Sequence, residues 1–462
     1  MNDTKLPSSF RDPSGFLFCR NNMVHRQVNN IYKENYDHLI NSGLYENLVD
    51  ADLLIPHEEI DVNCTEPEKI YKTIKPEQIT FISYPYEWCF SQLKDAALAT
   101  LKIQKKALDF GMSLKDSSSY NIQFRRGKPV LIDTLSFEKY NEGKPWVAYR
   151  QFCQHFLAPL VLMSYRDIRL NQLFRIYIDG IPLDLASSLV PFNTRFKFSL
   201  LSHIHLHARG QKYYANKSVN ISSSKMSRFS FLALIDSLES ATRKLSWQAD
   251  GTEWANYYQE TNYSSEAFQE KKQIISEYLD NITSKIIWDL GANDGIFSRI
   301  ASDKGMETIS FDIDPAAVEK NYLECVRNGE NNILPLLLDL TNPSPSIGWK
   351  NQERMSLIER GPVDTIMALA LIHHLAISNN VPLDKIADFF NKICSSALIV
   401  EFIPKNDSQV QRLLSTREDV FPDYTEQMFE SKFEIYFEIK KTVKIKNSDR
   451  ILYLMKKKVN KN

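Results

Sequence analysis

Residues 286–297 read IIWDLGANDGIF, an apolar run that stops at an acid and is followed by a glycine-rich turn. This order predicts a β-strand whose end brings the backbone close to a nucleotide-like ligand, because glycine lets the chain turn tightly with no side chain in the way. Asn293, which stands between the two glycines, is the next most tolerant residue of a left-handed backbone. A helix that starts near Gly295 would aim its unpaired N–H groups at the ligand.

Two further acids follow at the ends of predicted strands. Residues 308–312 predict a second strand that ends in Asp312, about 20 residues after the turn, where a nucleotide fold places the carboxylate that accepts from ribose hydroxyls. Pro315 then favours the start of a helix. Residues 333–340 predict a third strand, and Asp339 near its end is placed to accept a hydrogen bond from an adenine amino group.

Two more apolar runs complete the pattern of the C-terminal half. Residues 365–372 lead into His373 and His374, and residues 397–400 lead into Glu401. Strands that alternate with helical patterns predict an α/β fold with a doubly wound, mostly parallel sheet. Ligands of such a sheet bind outside the carboxyl ends of its strands, so these three polar residues are expected near the reacting groups.

Residues 254–458 resemble the class I S-adenosylmethionine-dependent methyltransferases. The resemblance implies S-adenosyl-L-methionine as the cofactor and a seven-stranded, Rossmann-like sheet with an antiparallel edge, here a hairpin of residues 432–444 and 450–456. The family more often has glycine where Asn293 stands. The residues that match the cofactor motifs are Asp289, Gly291, Asn293 and Gly295 in the turn, Asp312 for the ribose and Asp339 for the adenine.

Methyl transfer indicates what the remaining polar residues would do. Donor and acceptor must be held in line, and a hydroxyl or acidic carbon must also lose a proton. His373, His374 and Glu401 are therefore candidates for the base or for orienting the acceptor, and a structural or cofactor-facing role for the histidines stays open. Residues 370–373 read ALIH, which argues against methylation of planar amines, where Asn/Asp-Pro-Pro-Tyr/Phe is frequent.

Composition limits the other classes of function. The 462 residues predict two or three domains, and a formal net charge of -1 does not point to nucleic acid or to an anionic membrane. No apolar stretch is long enough to span a bilayer, and six scattered cysteines predict reduced thiols in a cytoplasm. We predict no metal site, because His203, His205 and His207 lie in a helix-like segment, residues 198–214, without a complete ligand set.

Residues 1–245 predict an α+β domain with one informative constellation. Asp116 and Asn121, followed by a short hairpin and Asp133, resemble in their spacing the catalytic and metal-binding loops of protein-kinase-like folds. A hairpin at residues 15–28 and a helix at residues 88–111 agree with this. No glycine-rich phosphate loop is visible, so phosphoryl transfer is not expected. The alternative is that Asp116 and Asn121 form a turn and cap the hairpin.

The chain as a whole resembles a bacterial family of two-part methyltransferases that includes nodulation-type methyltransferase-like proteins. Segments 83–88, 114–121, 179–186, 339–345 and 368–375 carry this resemblance. It implies methyl transfer but identifies no acceptor. We expect the acceptor to be a small molecule rather than a macromolecule, and the N-terminal domain to select or shield it. The alternative is a cofactor-binding sensor or interaction protein without turnover, whose N-terminal domain is a pseudokinase-like module.

Overall fold

The computed structural model describes residues 4–61, 68–209, 226–249, 264–415 and 419–459. The chain divides into two compact units. The N-terminal unit consists of residues 1–248 together with 346–354, and the C-terminal unit consists of residues 249–345 and 355–462. The predicted start of the methyltransferase domain at Trp254 lies outside the described residues. Segment 346–354 was not part of the predicted N-terminal domain.

The N-terminal unit begins with a five-stranded antiparallel sheet of order β1-β2-β3-β5-β4. The predicted hairpin at residues 15–28 is confirmed, because Gly15 pairs with Val28 and the turn residues Asn21 and Asn22 have positive φ angles. The elements are β1 (Thr4–Lys5), β2 (Gly15–Arg20), β3 (Met23–Asn29), α1 (Lys33–Asn41), α2 (Leu44–Asp50), β4 (His57–Ile60) and β5 (Ile70–Pro76).

A mainly helical part follows the sheet. Helix α3 (Phe90–Asp109) confirms the helix predicted at residues 88–111. Strands β6 (Met112–Leu114) and β9 (Phe137–Lys139) pair with each other, and β7 (Ile122–Arg125) and β8 (Lys128–Leu131) form the hairpin between them. The later helices are α4 (Tyr149–Phe152), α5 (Ala158–Tyr165), α6 (Leu183–Leu189), α7 (Phe198–Leu200) and α8 (Arg228–Lys244).

The C-terminal unit is built on a seven-stranded sheet of order β12-β11-β10-β13-β14-β16-β15, which confirms the predicted architecture. The first five strands in this order are parallel, and β16 and β15 form the antiparallel edge. The strands are β10 (Ile286–Leu290), β11 (Glu307–Asp312), β12 (Ile333–Leu337), β13 (Val363–Ala368), β14 (Cys394–Phe402), β15 (Phe437–Lys444) and β16 (Ile451–Lys457).

Helices cover this sheet and bury their apolar faces. The amphipathic pattern of residues 264–282 predicts a helix with glutamate and lysine on its outer face. The structure confirms this helix as α9 (Ser265–Asp280), whose N-terminus is capped by Ser264 through a 3.1 Å hydrogen bond from the Ala267 N–H. Its buried residues Ile275 and Leu279 belong to the core under the sheet. The other helices are α10 (Ile296–Asp303), α11 (Pro315–Asn328), α12 (Leu383–Ile393), α13 (Ser408–Leu414) and α14 (Glu426–Phe433).

Several predicted strand boundaries were wrong, and β12, for example, ends at Leu337 and not at residue 340. The strand predicted at residues 432–444 starts at Phe437, because Phe429 and Phe433 are one helical turn apart and are both buried at the end of α14. Strand β13 ends at Ala368 and not at residue 372. Strand β14 continues to Phe402, so Glu401 lies within the strand and not after it. Among the described residues, no helix has both the length and the apolar character that crossing a membrane requires.

Candidate active site

The turn after β10 has the left-handed backbone that its sequence predicts. Gly291, Asn293 and Gly295 have φ angles of 77°, 51° and 82°. The N–H groups of Gly291 and Ala292 both donate to the carbonyl of Phe311 at 2.9 Å, which joins the turn to the end of β11. A Cβ atom at Gly295 would lie 2.5 Å from the side chain of Asn321, so the packing of α11 excludes any larger residue there. Helix α10 starts directly after this glycine.

Asp289, near the end of β10, is buried next to the turn and is hydrogen-bonded to α10. It is 1% exposed, and its Oδ2 accepts a 2.6 Å hydrogen bond from the hydroxyl of Ser298 in α10. Ser298 in turn lies 2.9 Å from the hydroxyl of Ser310 in β11. Burial raises the pKa of Asp289 to about 7. This carboxyl group therefore connects β10, α10 and β11, and it also lines the cavity described below.

Asp312 is held with both carboxylate oxygens in defined positions. Its Oδ2 accepts from the Asn293 N–H at 2.7 Å, and its Oδ1 accepts from the Asp314 N–H at 2.8 Å. Each carboxylate oxygen can accept a second hydrogen bond, so the pair of oxygens suits two neighbouring hydroxyl groups. Burial raises the pKa of Asp312 to about 6, which leaves the carboxyl group mainly ionised at neutral pH.

A cavity of about 290 Å³ lies over the carboxyl ends of the central strands. Asp339 lines it two residues after β12, and its Oδ1 accepts from both the N–H and the hydroxyl of Thr341. The lining residues that come from the cofactor motifs are Asp289, Gly291, Asn293, Asp312 and Asp339. The structure thus brings five of the six predicted cofactor residues to one cavity, and Gly295 shapes the turn beside it.

The two histidines have different surroundings. His374 lines the cavity at the start of a π-helical turn (His374–Ser378), whereas His373 is 2% exposed and does not line it. Their rings are 4.0 Å apart. Burial lowers the pKa of His374 to about 4 and that of His373 well below its usual range, so both rings are neutral at pH 7. Only His374 is placed to contact a ligand in this cavity.

Glu401 is fully buried and contacts another residue of this region that sequence reasoning missed. Its Oε2 accepts from the ammonium of Lys271 at 2.6 Å and from the Ala370 N–H at 2.8 Å. Lys271 lines the cavity, but Glu401 is not one of the lining residues. The lysines of α9 were predicted to lie on the outer face of this helix, which is wrong for Lys271, 3% exposed. Its spacing from Ala267, Ile274 and Ile275 placed it on the apolar face and could have revealed it.

In the N-terminal unit, Asp116 forms a local turn, because its Oδ1 accepts from the Ser118 N–H at 2.9 Å. The nearby Asn121 side chain acts to lower the pKa of Asp116, and its amide donates to the Ser136 hydroxyl at 3.4 Å. Burial and the nearby Asp133 raise the pKa of Asp116.

Asp133 has a protein cation beside it. Its Oδ1 lies 2.6 Å from the guanidinium of Arg26 on β3, and its Oδ2 accepts from the Ser136 hydroxyl at 2.7 Å. In the part of the chain that the structure describes, no group of three or more His, Cys, Asp and Glu side chains could hold a metal ion. The cation observed next to Asp133 is the Arg26 guanidinium.

The histidines at positions 203, 205 and 207 are packed in helical residues, as predicted. His203 lies within 2.9 Å of the hydroxyls of Tyr149 and Ser237, and His205 is hydrogen-bonded to two further hydroxyl groups. The ring of His207 stacks on Tyr149 with a centroid distance of 4.9 Å. Residues 210–214 of the predicted segment lie outside the described residues.

The strand order, the left-handed turn and the two carboxylates suit an adenosine with an amino-acid tail. Glycines in the turn let a ligand approach the backbone closely, and the two fixed acceptors of Asp312 suit the hydroxyl groups of a ribose. The strand order and the site geometry are those that the resemblance to class I S-adenosylmethionine-dependent methyltransferases predicts.

The chain is 33% identical over 457 residues to nodulation protein NoeA of Rhizobium meliloti strain 1021, and the match covers 97% of this chain and 95% of that protein. It belongs to the family of nodulation protein NoeA. No family model matches the chain.

Weaker similarities to solved structures concern less than half of the chain. The N-methyltransferase NodS of Bradyrhizobium japonicum WM9 is 11% identical over 42% of this chain and 99% of its own, with a TM-score of 0.31. Magnesium protoporphyrin IX methyltransferase (ChlM) of Synechocystis PCC 6803, solved with bound SAH, is 14% identical over 44% of this chain and 93% of its own, with a TM-score of 0.31.

Proposed function

We propose that the protein transfers the methyl group of S-adenosylmethionine to a small-molecule acceptor in the cavity of the C-terminal unit. The observation that carries this proposal is that Asp312, Asp339 and His374 line one cavity together with the left-handed turn. The scattered cysteines favour a reducing compartment, so the same proposal places the reaction in the cytoplasm.

The residues of the cavity divide between holding the cofactor and preparing the acceptor. Asp312 accepts from the ribose hydroxyls, and Asp339 accepts from the adenine amino group. When bound, S-adenosylmethionine supplies an electrophilic methyl group whose bonding electron pair stays with sulfur. His374 orients the acceptor and, where a hydroxyl is methylated, takes up its proton. A neutral imidazole is suited to this, although a pKa of about 4 makes it a weak base.

His373 and Glu401 act, in this proposal, through their neighbours. Neither lines the cavity, so we assign them positioning roles: His373 packs against the ring of His374, and Glu401 holds Lys271. Replacement of His374 by glutamine should lower kcat with little change in the dissociation constant of the cofactor. Replacement of His373 by glutamine should have the smaller effect on kcat.

We propose that the N-terminal unit selects or shields the acceptor and has a protein-kinase-like fold without phosphoryl transfer. Its antiparallel sheet, its long helix α3 and the proximity of Asp116, Asn121 and Asp133 support the fold. The Arg26 guanidinium next to Asp133 argues against a metal-bound nucleotide, because it already neutralises that carboxylate. Magnesium and ATP should therefore leave the melting temperature unchanged, and a clear rise would contradict this part of the proposal.

The cofactor site is tested by calorimetry with S-adenosylmethionine on wild type and on Gly291→Arg. The arginine side chain would enter the cavity that Gly291 lines. Gly305→Arg is the matched control, because Gly305 also has a positive φ, 80°, but a side chain there meets open space. We expect Gly305→Arg to bind the cofactor and Gly291→Arg to lose binding. Folded wild-type protein that takes up no cofactor would contradict the proposal.

Turnover is tested with cofactor that is radiolabelled in the methyl group and incubated with cell extract. Label that moves to a low-molecular-weight product, and that does so less with His374→Gln, supports the enzyme and leads to the acceptor. Tight cofactor binding with no transfer in any extract would instead support a sensor without turnover.

A further inference from the structure

The buried ion pair of Lys271 and Glu401 lies beside the cavity, and the function proposed above gives Lys271 no ligand to bind. The Lys271 ammonium lies 2.6 Å from Glu401 Oε2, and the two side chains are 3% and 0% exposed. The ammonium also lies 4.7 Å from the centre of the Phe297 ring. Lys271 and Phe297 line the cavity, and Glu401 lies behind them.

Stability alone is a weak reason for such a pair. Lysine is among the residues least often buried, and the cost of removing two charges from water can exceed their mutual attraction. Burial lowers the pKa of Lys271, and Glu401 acts against this shift. An ammonium that faces a cavity from such a position would be further stabilised by an anionic ligand group.

The sheet order places the pair at one end of the cavity. Strands β11 and β12, which lead to Asp312 and Asp339, lie on one side of β10, and β13 and β14 lie on the other. Lys271 is held by Glu401 of β14, and the same carboxylate accepts from the Ala370 N–H, two residues after β13. If the adenosine occupies the side of the two acids, the amino-acid tail of the cofactor must extend toward the lysine.

We propose that Lys271 binds the amino-acid carboxylate of S-adenosylmethionine and that Glu401 is the positioning residue which holds its ammonium. This inference rests on the proposed use of Asp312 and Asp339 for the adenosine. It assigns the cavity two chemically different ends, one that recognises a nucleoside and one that recognises a carboxylate.

The test compares two ligands that differ in the amino-acid tail. S-adenosylhomocysteine has the carboxylate, and 5′-methylthioadenosine keeps the nucleoside and a thioether but has no carboxylate. Dissociation constants are measured by calorimetry for wild type and for Lys271→Met. We expect Lys271→Met to raise the dissociation constant of S-adenosylhomocysteine at least tenfold and that of 5′-methylthioadenosine less than twofold. Lys271→Arg, which keeps the charge, should recover part of the loss.

Two further variants keep this test decisive. Lys271→Met leaves the Glu401 carboxylate buried without its lysine, so the double variant Lys271→Met/Glu401→Gln removes both charges and should show the same ligand selectivity while staying folded. Lys272→Met is the matched control, because Lys272 is the next lysine of α9 and does not line the cavity.

The outcomes separate this inference from the proposed function. If Lys271→Met weakens the binding of both ligands equally, or of neither, the proposed role of Lys271 is wrong, although wild-type protein binds the cofactor. Wild-type protein that binds neither ligand would instead contradict the proposed function.

Discussion

At the scale of single residues, the site depends on backbone angles that few side chains tolerate. Gly291, Asn293, Gly295 and Ala370 all have positive φ angles at or next to the cavity. For an ordinary L-residue this conformation costs roughly 1–2 kcal/mol. Ala370 accepts this strain and donates its N–H to Glu401, which orients the carboxylate toward Lys271.

Gly295→Ala should destabilise the C-terminal unit by more than the backbone strain alone. The new Cβ would lie 2.5 Å from Asn321, whose amide donates to Ser310. Gly329→Ala is the control, because Gly329 has a φ of 67° but open space around it, and should cost about 1–2 kcal/mol. Urea denaturation of both variants measures the difference. If the two variants lost the same free energy of unfolding, the close approach to Asn321 would not destabilise the fold, and the prediction would be wrong.

The raised pKa of Asp289 predicts how stability depends on pH. Folding raises this pKa from about 3.9 to about 7, so between these values the folded state keeps a proton that the unfolded chain releases. Through this group, the free energy of unfolding should fall as the pH rises from about 4 to about 7 and be constant outside that window. The change is at most about 4 kcal/mol, since one pKa unit corresponds to about 1.4 kcal/mol.

Asp289→Asn removes this titration and isolates its contribution. Both proteins are denatured without cofactor at a series of pH values. The quantity compared is the free energy of unfolding of wild type minus that of the variant. We expect this difference to decrease between pH 4 and pH 7. A difference that is flat or increases would contradict a raised pKa for Asp289.

At the scale of elements, buried ion pairs connect segments that are far apart in the chain. Lys271 of α9 reaches Glu401 of β14, and Arg450, just before β16, reaches Asp407, which caps α13. Removing one partner of such a pair leaves a buried charge that nothing compensates. The two pairs therefore hold α9 against β14 and the N-terminus of α13 against the start of β16.

Asp407→Ala should be strongly destabilising. The Asp407 Oδ2 accepts from Arg450 Nε at 2.8 Å, both side chains are at most 5% exposed, and the same carboxylate caps α13. We expect a loss of about 3–5 kcal/mol in the free energy of unfolding. Asp388→Ala removes an exposed partner of Lys392 on α12 and should change little. A small loss for Asp407→Ala would contradict this account of the pair.

At the scale of the whole molecule, the boundary between the two units is not a single point in the sequence. Segment 346–354 comes from the connection between β12 and β13 of the C-terminal half, but it belongs to the N-terminal unit. Arg11 donates twice to the Glu353 carboxylate, at 2.8 and 2.7 Å, and the Arg354 guanidinium lies 4.5 Å from the Tyr120 ring centre. The chain therefore enters the N-terminal unit a second time.

Glu353→Ala should weaken the N-terminal unit and leave cofactor binding intact. Hydrogen bonds to a charged group stabilise by roughly 1.5–3 kcal/mol, but Arg11 is 52% exposed, so we expect a loss of about 1–2 kcal/mol. Denaturation measures the loss, and calorimetry with S-adenosylmethionine should give the wild-type affinity. Glu58→Ala, which removes an exposed carboxylate of the same unit, should have almost no effect. If Glu353→Ala bound S-adenosylmethionine much more weakly than wild type, the prediction that the Arg11–Glu353 contact does not affect the cofactor site would be wrong.

Much of the fold of the C-terminal unit could be predicted from local patterns. Glycine spacing fixed the turn at residues 291–295, the period of apolar residues indicated α9, and apolar runs that stop at acids indicated β10, β11 and β12. The boundaries of β13, β14 and β15 could not be predicted as well, because strand ends depend on pairing and on what the neighbouring helices bury.

The sequence by itself determined the class of fold, the left-handed turn and the acids that line the cavity, because φ angles, side-chain period and spacing are properties of a few consecutive residues. The tertiary structure alone decided that His374 and not His373 faces the cavity, that Lys271 points inward to Glu401, 130 residues away, and that segment 346–354 joins the N-terminal unit. These outcomes depend on which distant surfaces exclude water from a side chain, and nothing in the adjacent sequence specifies that.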